Sequence, residues 1–143
     1  MSSAQRLGPR LLVVDDNDDD VELLRIALKR TDSGLVLSVE KSGEAALRRL
    51  AAAVGAKLPD VVLLDWKMPG ISGAEVLKAI REAPTTHHLP VVVLSSSEAP
   101  DDLRVATALG ATGYLPKPAD MGGYLALARS LDEAWCGATC PRS

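Results

Sequence analysis

The 143-residue sequence contains no phenylalanine, and aromatic residues make up only 3% of it. Any core must therefore be aliphatic, and the 47% of hydrophobic residues supply one. Basic runs are missing too. The formal charge is −3 and the isoelectric point is near 5.3, which argues against a nucleic-acid surface built on clustered Lys and Arg. No apolar run approaches the ~20 residues of a membrane-spanning helix. The longest, such as 61–64 and 91–94, are strand-sized. The opening MSSAQRLGPR lacks the apolar stretch of a secretory signal, so a cytoplasmic protein with no membrane partner is expected. Cysteine is scarce. Cys136 and Cys140 are too few for a disulfide framework or a zinc site and read as free thiols.

What is present is a regular alternation. Short apolar runs stand at 10–15 (RLLVVD), 35–39 (LVLSV), 60–65 (DVVLLD), 91–95 (VVVLS) and 113–115 (GYL). The first, third and fourth are continuous Val/Leu blocks, which suit strands covered on both faces. Helical spacing fills the gaps. Over 18–31, Val21, Leu24 and Leu28 share a face. Asp18, Asp19, Asp20 and Glu22 lie at its start and Arg25, Lys29 and Arg30 toward its end, which complements the helix dipole. The stretch 42–54 opens on Ser-Gly-Glu and closes at Gly55. The stretch 72–83 turns Val76, Leu77 and Ile80 inward and stops before Pro84. A short helix over 101–109 stops at Gly110, and 120–134 aligns Met121, Leu125, Ala128, Leu131 and Trp135. Five alternations predict an α/β fold, an open, doubly wound, five-stranded parallel sheet with five helices. One domain over 10–134 is expected, with tails at 1–9 and 135–143 too short for an output domain.

In such sheets the working crevice lies beyond the carboxyl ends of the strands. The first strand ends in Asp15 and Asp16, the third in Asp65 and the fourth in Ser95, while Lys117 and Pro118 follow the fifth. Three carboxylates, a hydroxyl and an ammonium would share one pocket. Carboxylates so grouped repel unless a cation joins them. An oxygen-only ligand set with no His or Cys nearby points to Mg²⁺ rather than zinc. A carboxylate beside Mg²⁺ is a nucleophile toward phosphorus, with Lys117 and the Ser95 hydroxyl placed to take the other phosphoryl oxygens. Asp18 and Asp19 read as solvated residues of a helix start.

The segments LLVVDDN (11–17), PDVVLLDWKMPGISGAEVL (59–77), LPVVVLSSS (89–97) and GATGYLPKP (110–118) together resemble response-regulator receiver domains, whose fold is the flavodoxin-like (βα)5 sheet. The resemblance implies that Asp65 is the phosphoacceptor and that Asp15 and Asp16 bind Mg²⁺ together with the backbone carbonyl of Lys67. It implies that Ser95 and Tyr114 form the switch pair, that Lys117 contacts the phosphoryl group, and that the bond to Pro118 is cis. The donor would be a sensor histidine kinase or a histidine phosphotransfer protein. The first helix, with its D-N-x-x-D-V-x-L-L-x-x-A-L pattern, is similar to receivers paired with bacterial phytochrome kinases, and such regulators often form homodimers. The protein is thus expected to be a switch and not a turnover enzyme. A receiver-shaped scaffold that signals without phosphorylation, and a Mg²⁺-dependent phosphohydrolase, are the alternatives. Lys67 counts against the second, because it stands where those enzymes resemble one another in a second Asp. Trp66 reads as a wedge at the pocket rim.

Overall fold

The three Val/Leu blocks form the middle of the sheet. The computed structural model describes residues 8–53, 57–96 and 99–135. Its strands are β1 (Arg10–Val14), β2 (Val36–Glu40), β3 (Val61–Asp65), β4 (Val91–Ser95) and β5 (Gly113–Pro116). All pair in parallel in the order β2-β1-β3-β4-β5. Every residue of β3 and β4 is buried, as expected of strands covered on both faces, whereas β2 and β5 lie at the edges and are only partly covered.

The helices are α1 (Asp18–Arg30), α2 (Gly43–Ala52), α3 (Gly73–Glu82), α4 (Pro100–Ala108) and α5 (Met121–Trp135). Helices α1 and α5 cover one face of the sheet. Their Val21, Leu24, Ala27, Tyr124, Leu127 and Leu131 meet the odd-numbered strand residues Leu11, Val13, Val61 and Leu63. Helices α2, α3 and α4 cover the other, where Ala46, Leu50, Val76, Leu77, Ile80 and Ala106 meet Leu12, Val14, Val62, Leu64 and Val93. The strand period of two sorts the side chains between these layers.

Local signals set most of the boundaries. Asn17 caps α1 by accepting from the Asp20 amide at 3.0 Å. Ser72 and Glu75 form a reciprocal capping box on α3. Gly110 follows α4 with φ of 96°, a left-handed position that glycine adopts without strain. The expected end of the second helix at Val54 and Gly55 lies outside the described residues, as do Cys136 and Cys140. In α5 the buried residues are Tyr124, Leu127, Ala128, Leu131 and Asp132, while Met121, Leu125 and Trp135 are only partly covered. All five residues of the expected stripe thus lie in or against the α1/α5 layer, to which Tyr124 and Leu127 add. Asp132 is buried because its Oδ1 accepts from Ser33 Oγ (2.9 Å) and the Gly34 amide (3.2 Å), a bond across the chain that hydropathy does not register. No helix among the described residues is long and apolar enough to cross a membrane.

Candidate functional site

The carboxyl ends of β1, β3 and β5 converge, and the strand period decides what they present. Asp15 and Asp65 follow Val13 and Leu63 at the strand period of two and so share the α1/α5 face, and Lys117, just beyond β5, brings its ammonium to the same pocket. Asp15 and Asp65 are 4% and 6% exposed. With the exposed Asp16 they bring three carboxylate oxygens within 4.8 Å of one another. This all-oxygen donor set, partly withdrawn from water, suits a hard divalent cation such as Mg²⁺.

Lys117 closes the pocket. Its Nζ lies 3.3 Å from Asp65 Oδ2, 3.2 Å from Asp15 Oδ2 and 2.7 Å from Asp20 Oδ2. Backbone amides hold the remaining oxygens. Asn17 N–H donates to Asp15 Oδ1 at 2.9 Å, and Lys67 N–H donates to Asp65 Oδ1 at 3.3 Å.

The charges remain unbalanced. Burial, and then the neighbouring charge of Asp15, push the Asp65 carboxyl up to about 6 against the pull of Lys117 and the Lys67 amide. Burial likewise raises Asp15, although the Asn17 amide and Lys117 oppose it. For Lys117, burial favours the neutral form. The bond to Asp20 and the charges of Asp15, Asp65 and Asp20 outweigh it, so the ammonium is held above its ordinary range. The pocket is short of positive charge, which is what a bound divalent cation would supply.

The remaining expected residues are distributed around this centre. Ser95 ends β4 and is 1% exposed. The Lys117 amide donates to the Ser95 carbonyl at 2.9 Å, so these two residues share a backbone bond. Tyr114, on β5, is half-buried against the α2/α3/α4 layer, with its hydroxyl sealed from solvent and without a hydrogen-bond partner among the described residues. The Lys67 side chain turns away from Asp65 toward Asp102 on α4.

Two expectations are corrected. No peptide bond among the described residues is cis, so the Lys117–Pro118 bond is trans. Trp66 is 6% exposed and belongs to the α2/α3/α4 layer, because its amide continues the ladder to Leu94 O (2.9 Å) and carries the ring inward. From the sequence Asp20 is one of the acidic residues at the start of the first helix and not a site residue. Its signal was helical phase. It lies in the first turn of α1 beside the exposed Asp18 and Asp19, but on the side facing α5 and the odd-numbered strand residues.

Residues 11–129 match the family described as the response regulator receiver domain, and the chain belongs to that family. Among solved structures, the phosphorylated cyanobacterial phytochrome response regulator RcpA is similar with a TM-score of 0.82 and 29% identity, over 94% of this chain and 98% of that one. The Mn²⁺-bound form of response regulator Rcp1 is similar with a TM-score of 0.78 and 27% identity, over 94% and 99%. Response regulator PleD of Caulobacter vibrioides is 36% identical over 125 residues, or 87% of this chain. The chain spans only 26% of PleD's length.

Proposed function

We propose that this receiver accepts a phosphoryl group on Asp65 from a histidine kinase or histidine phosphotransfer protein. The observation that supports this best is the convergence of Asp15, Asp16 and Asp65 within 4.8 Å, with Lys117 Nζ 3.3 Å from the Asp65 carboxylate. Asp65 Oδ attacks phosphorus, the P–N bond of the phosphohistidine breaks, and the electron pair returns to the imidazole nitrogen as the acyl-phosphate P–O bond forms. Asp15, Asp16, Asp65 and the backbone carbonyl of Lys67 would hold Mg²⁺, which when bound neutralises charge on the phosphoryl oxygens. Lys117 and the Ser95 hydroxyl take the remaining phosphoryl oxygens.

The readout is a rearrangement of Ser95 and Tyr114. A phosphoryl group on Asp65 draws the Ser95 hydroxyl, and the half-buried Tyr114, whose hydroxyl has no hydrogen-bond partner among the described residues, moves with the space that opens. The domain over 10–134 acts as a switch, in the cytoplasm, without turnover of a substrate. Likeness to RcpA favours a bacterial phytochrome as the kinase. The exposed apolar residues Leu103 and Val105 on α4 and Leu115 on β5 suit pairing with a second copy.

Intact-protein mass after incubation with acetyl phosphate tests the reading. The wild type gains one phosphoryl group with Mg²⁺ and none without it, and Asp65→Asn gains none. Equal labelling of the wild type and Asp65→Asn rejects Asp65 as the acceptor.

A further inference from the structure

The first turn of α1 supplies a carboxylate that the phosphoacceptor site as described does not use. Asp20 is not in the Asp15–Asp16–Asp65 cluster. Yet its Oδ2, at 2.7 Å, is closer to Lys117 Nζ than Asp15 at 3.2 Å or Asp65 at 3.3 Å. An ammonium has three N–H donors, and here three carboxylates from three segments of the chain surround it. The lysine side chain is only 16% exposed, so these contacts are little screened by water.

The three partners differ in what phosphorylation does to them. Asp65 exchanges its carboxylate charge for the charges of the phosphoryl oxygens when it becomes an acyl phosphate. Asp15 is shared with the metal cluster. Asp20 alone is left unchanged by phosphorylation and stays outside that cluster. Its backbone is also fixed, because its amide donates to the Asn17 cap side chain at 3.0 Å, and the buried Tyr124 of α5 stands close enough for the Asp20 charge to raise its phenol. A lysine stem is long and flexible, and without a fixed counter-ion it samples many rotamers. With Asp20 lost, the ammonium would settle on Asp15 and compete for a metal-binding oxygen.

We propose that Asp20 is a positioning residue for phosphoryl transfer, anchoring the Lys117 ammonium at the Asp65 carboxylate before and during arrival of the phosphoryl group. This rests on the reading of Asp65 as the phosphoacceptor. Asp20 touches neither the metal cluster nor the reacting oxygen and acts through Lys117.

A double-mutant cycle tests this. Initial rates of phosphoryl uptake from acetyl phosphate, at saturating Mg²⁺, are measured by quenched intact-protein mass for the wild type, Asp20→Asn, Lys117→Ala and the double variant. Misplacing a catalytic group slows transfer steeply, so Asp20→Asn is expected to be about tenfold slower than the wild type. In the Lys117→Ala background the same change is expected to have no further effect. Equal slowing in both backgrounds overturns the proposal, because Asp20 would then act on the fold or the general charge. So does a wild-type rate in Asp20→Asn, which leaves Asp65 as acceptor intact because the wild type still gains its phosphoryl group. A wild type that gains none rejects the reading of Asp65 and this inference with it.

Discussion

The Lys67 ammonium lies 3.8 Å from Asp102 Oδ2 on α4, while the amide of the same residue donates to Asp65 Oδ1 at 3.3 Å. One residue thus touches Asp65 through its backbone and α4 through its side chain. Asp102 Oδ2 is sealed from solvent and has no hydrogen-bond partner among the described residues, where Lys67 is its counter-charge. A phosphoryl group on Asp65 brings a stronger negative charge to the same neighbourhood.

Lys67→Ala should therefore shorten the life of the aspartyl phosphate. With Lys67 present, the cation swings from Asp102 to the phosphoryl oxygens and obstructs attacking water. Its loss is expected to speed dephosphorylation severalfold, followed by decay of the phosphorylated mass after removal of donor. The lysine is 63% exposed, so the melting behaviour should change by less than about 1 kcal/mol. An unchanged decay rate would mean that Lys67 remains on Asp102.

Metal-free stability should fall as pH rises through the window of Asp65. Its carboxyl stands at about 6 in the folded chain against an ordinary 3.8. A raised carboxyl favours the protonated folded state, so its contribution is full below the ordinary value and is lost on the way up to about 6. Urea midpoints in chelator are expected to decline across that interval. Mg²⁺ should restore the midpoint at the upper end, and Asp65→Asn should flatten the profile. A midpoint in chelator that rises over the interval contradicts this account.

Gly73→Ala should damage fold and site together. A Cβ at Gly73 would lie 2.8 Å from Trp66 Cα and O and 2.9 Å from Asp65 O. These are backbone atoms and cannot rotate aside, so the start of α3 must move from the end of β3. A loss of about 2 kcal/mol or more is expected in denaturant titration, together with slower phosphoryl uptake. A variant of wild-type stability would show that α3 can shift freely against β3.

Asp132→Ala should separate stability from chemistry. It strands the Ser33 hydroxyl and the Gly34 amide, at the sheet end opposite the acidic pocket, and should cost about 2 kcal/mol. Phosphoryl uptake by the folded fraction should match the wild type. A slower uptake at full folding would indicate that α5 transmits the disturbance to Lys117.

Much of this was legible in the chain because two periodicities dominate it. Continuous Val/Leu blocks identified β1, β3 and β4, and their final residues marked Asp15, Asp65 and Ser95. Edge strands were harder, since β2 and β5 bury less and carry weaker patterns; β5 extends to Pro116 where only Leu115 was expected. Residues that depend on helical phase were missed. Asp20 looked like its solvated neighbours Asp18 and Asp19, yet one side of α1 faces Lys117 and the other faces water. Asp132 was hidden for a similar reason, because a polar group that bonds across the chain leaves no trace in hydropathy. The trans bond at Pro118 and the burial of Trp66 also required coordinates.

The strand order has a consequence for timing. Asp15 directly follows β1 and Asp65 ends β3, strands paired on both sides, whereas Tyr114 belongs to β5, which pairs only with β4. The inner strands can open only with the whole domain, while the margin can loosen alone. Amide exchange should therefore be slowest in β1 and β3 and fastest in β5. The phosphoryl group would be received in the slowest part of the molecule and made known to other proteins by the quickest.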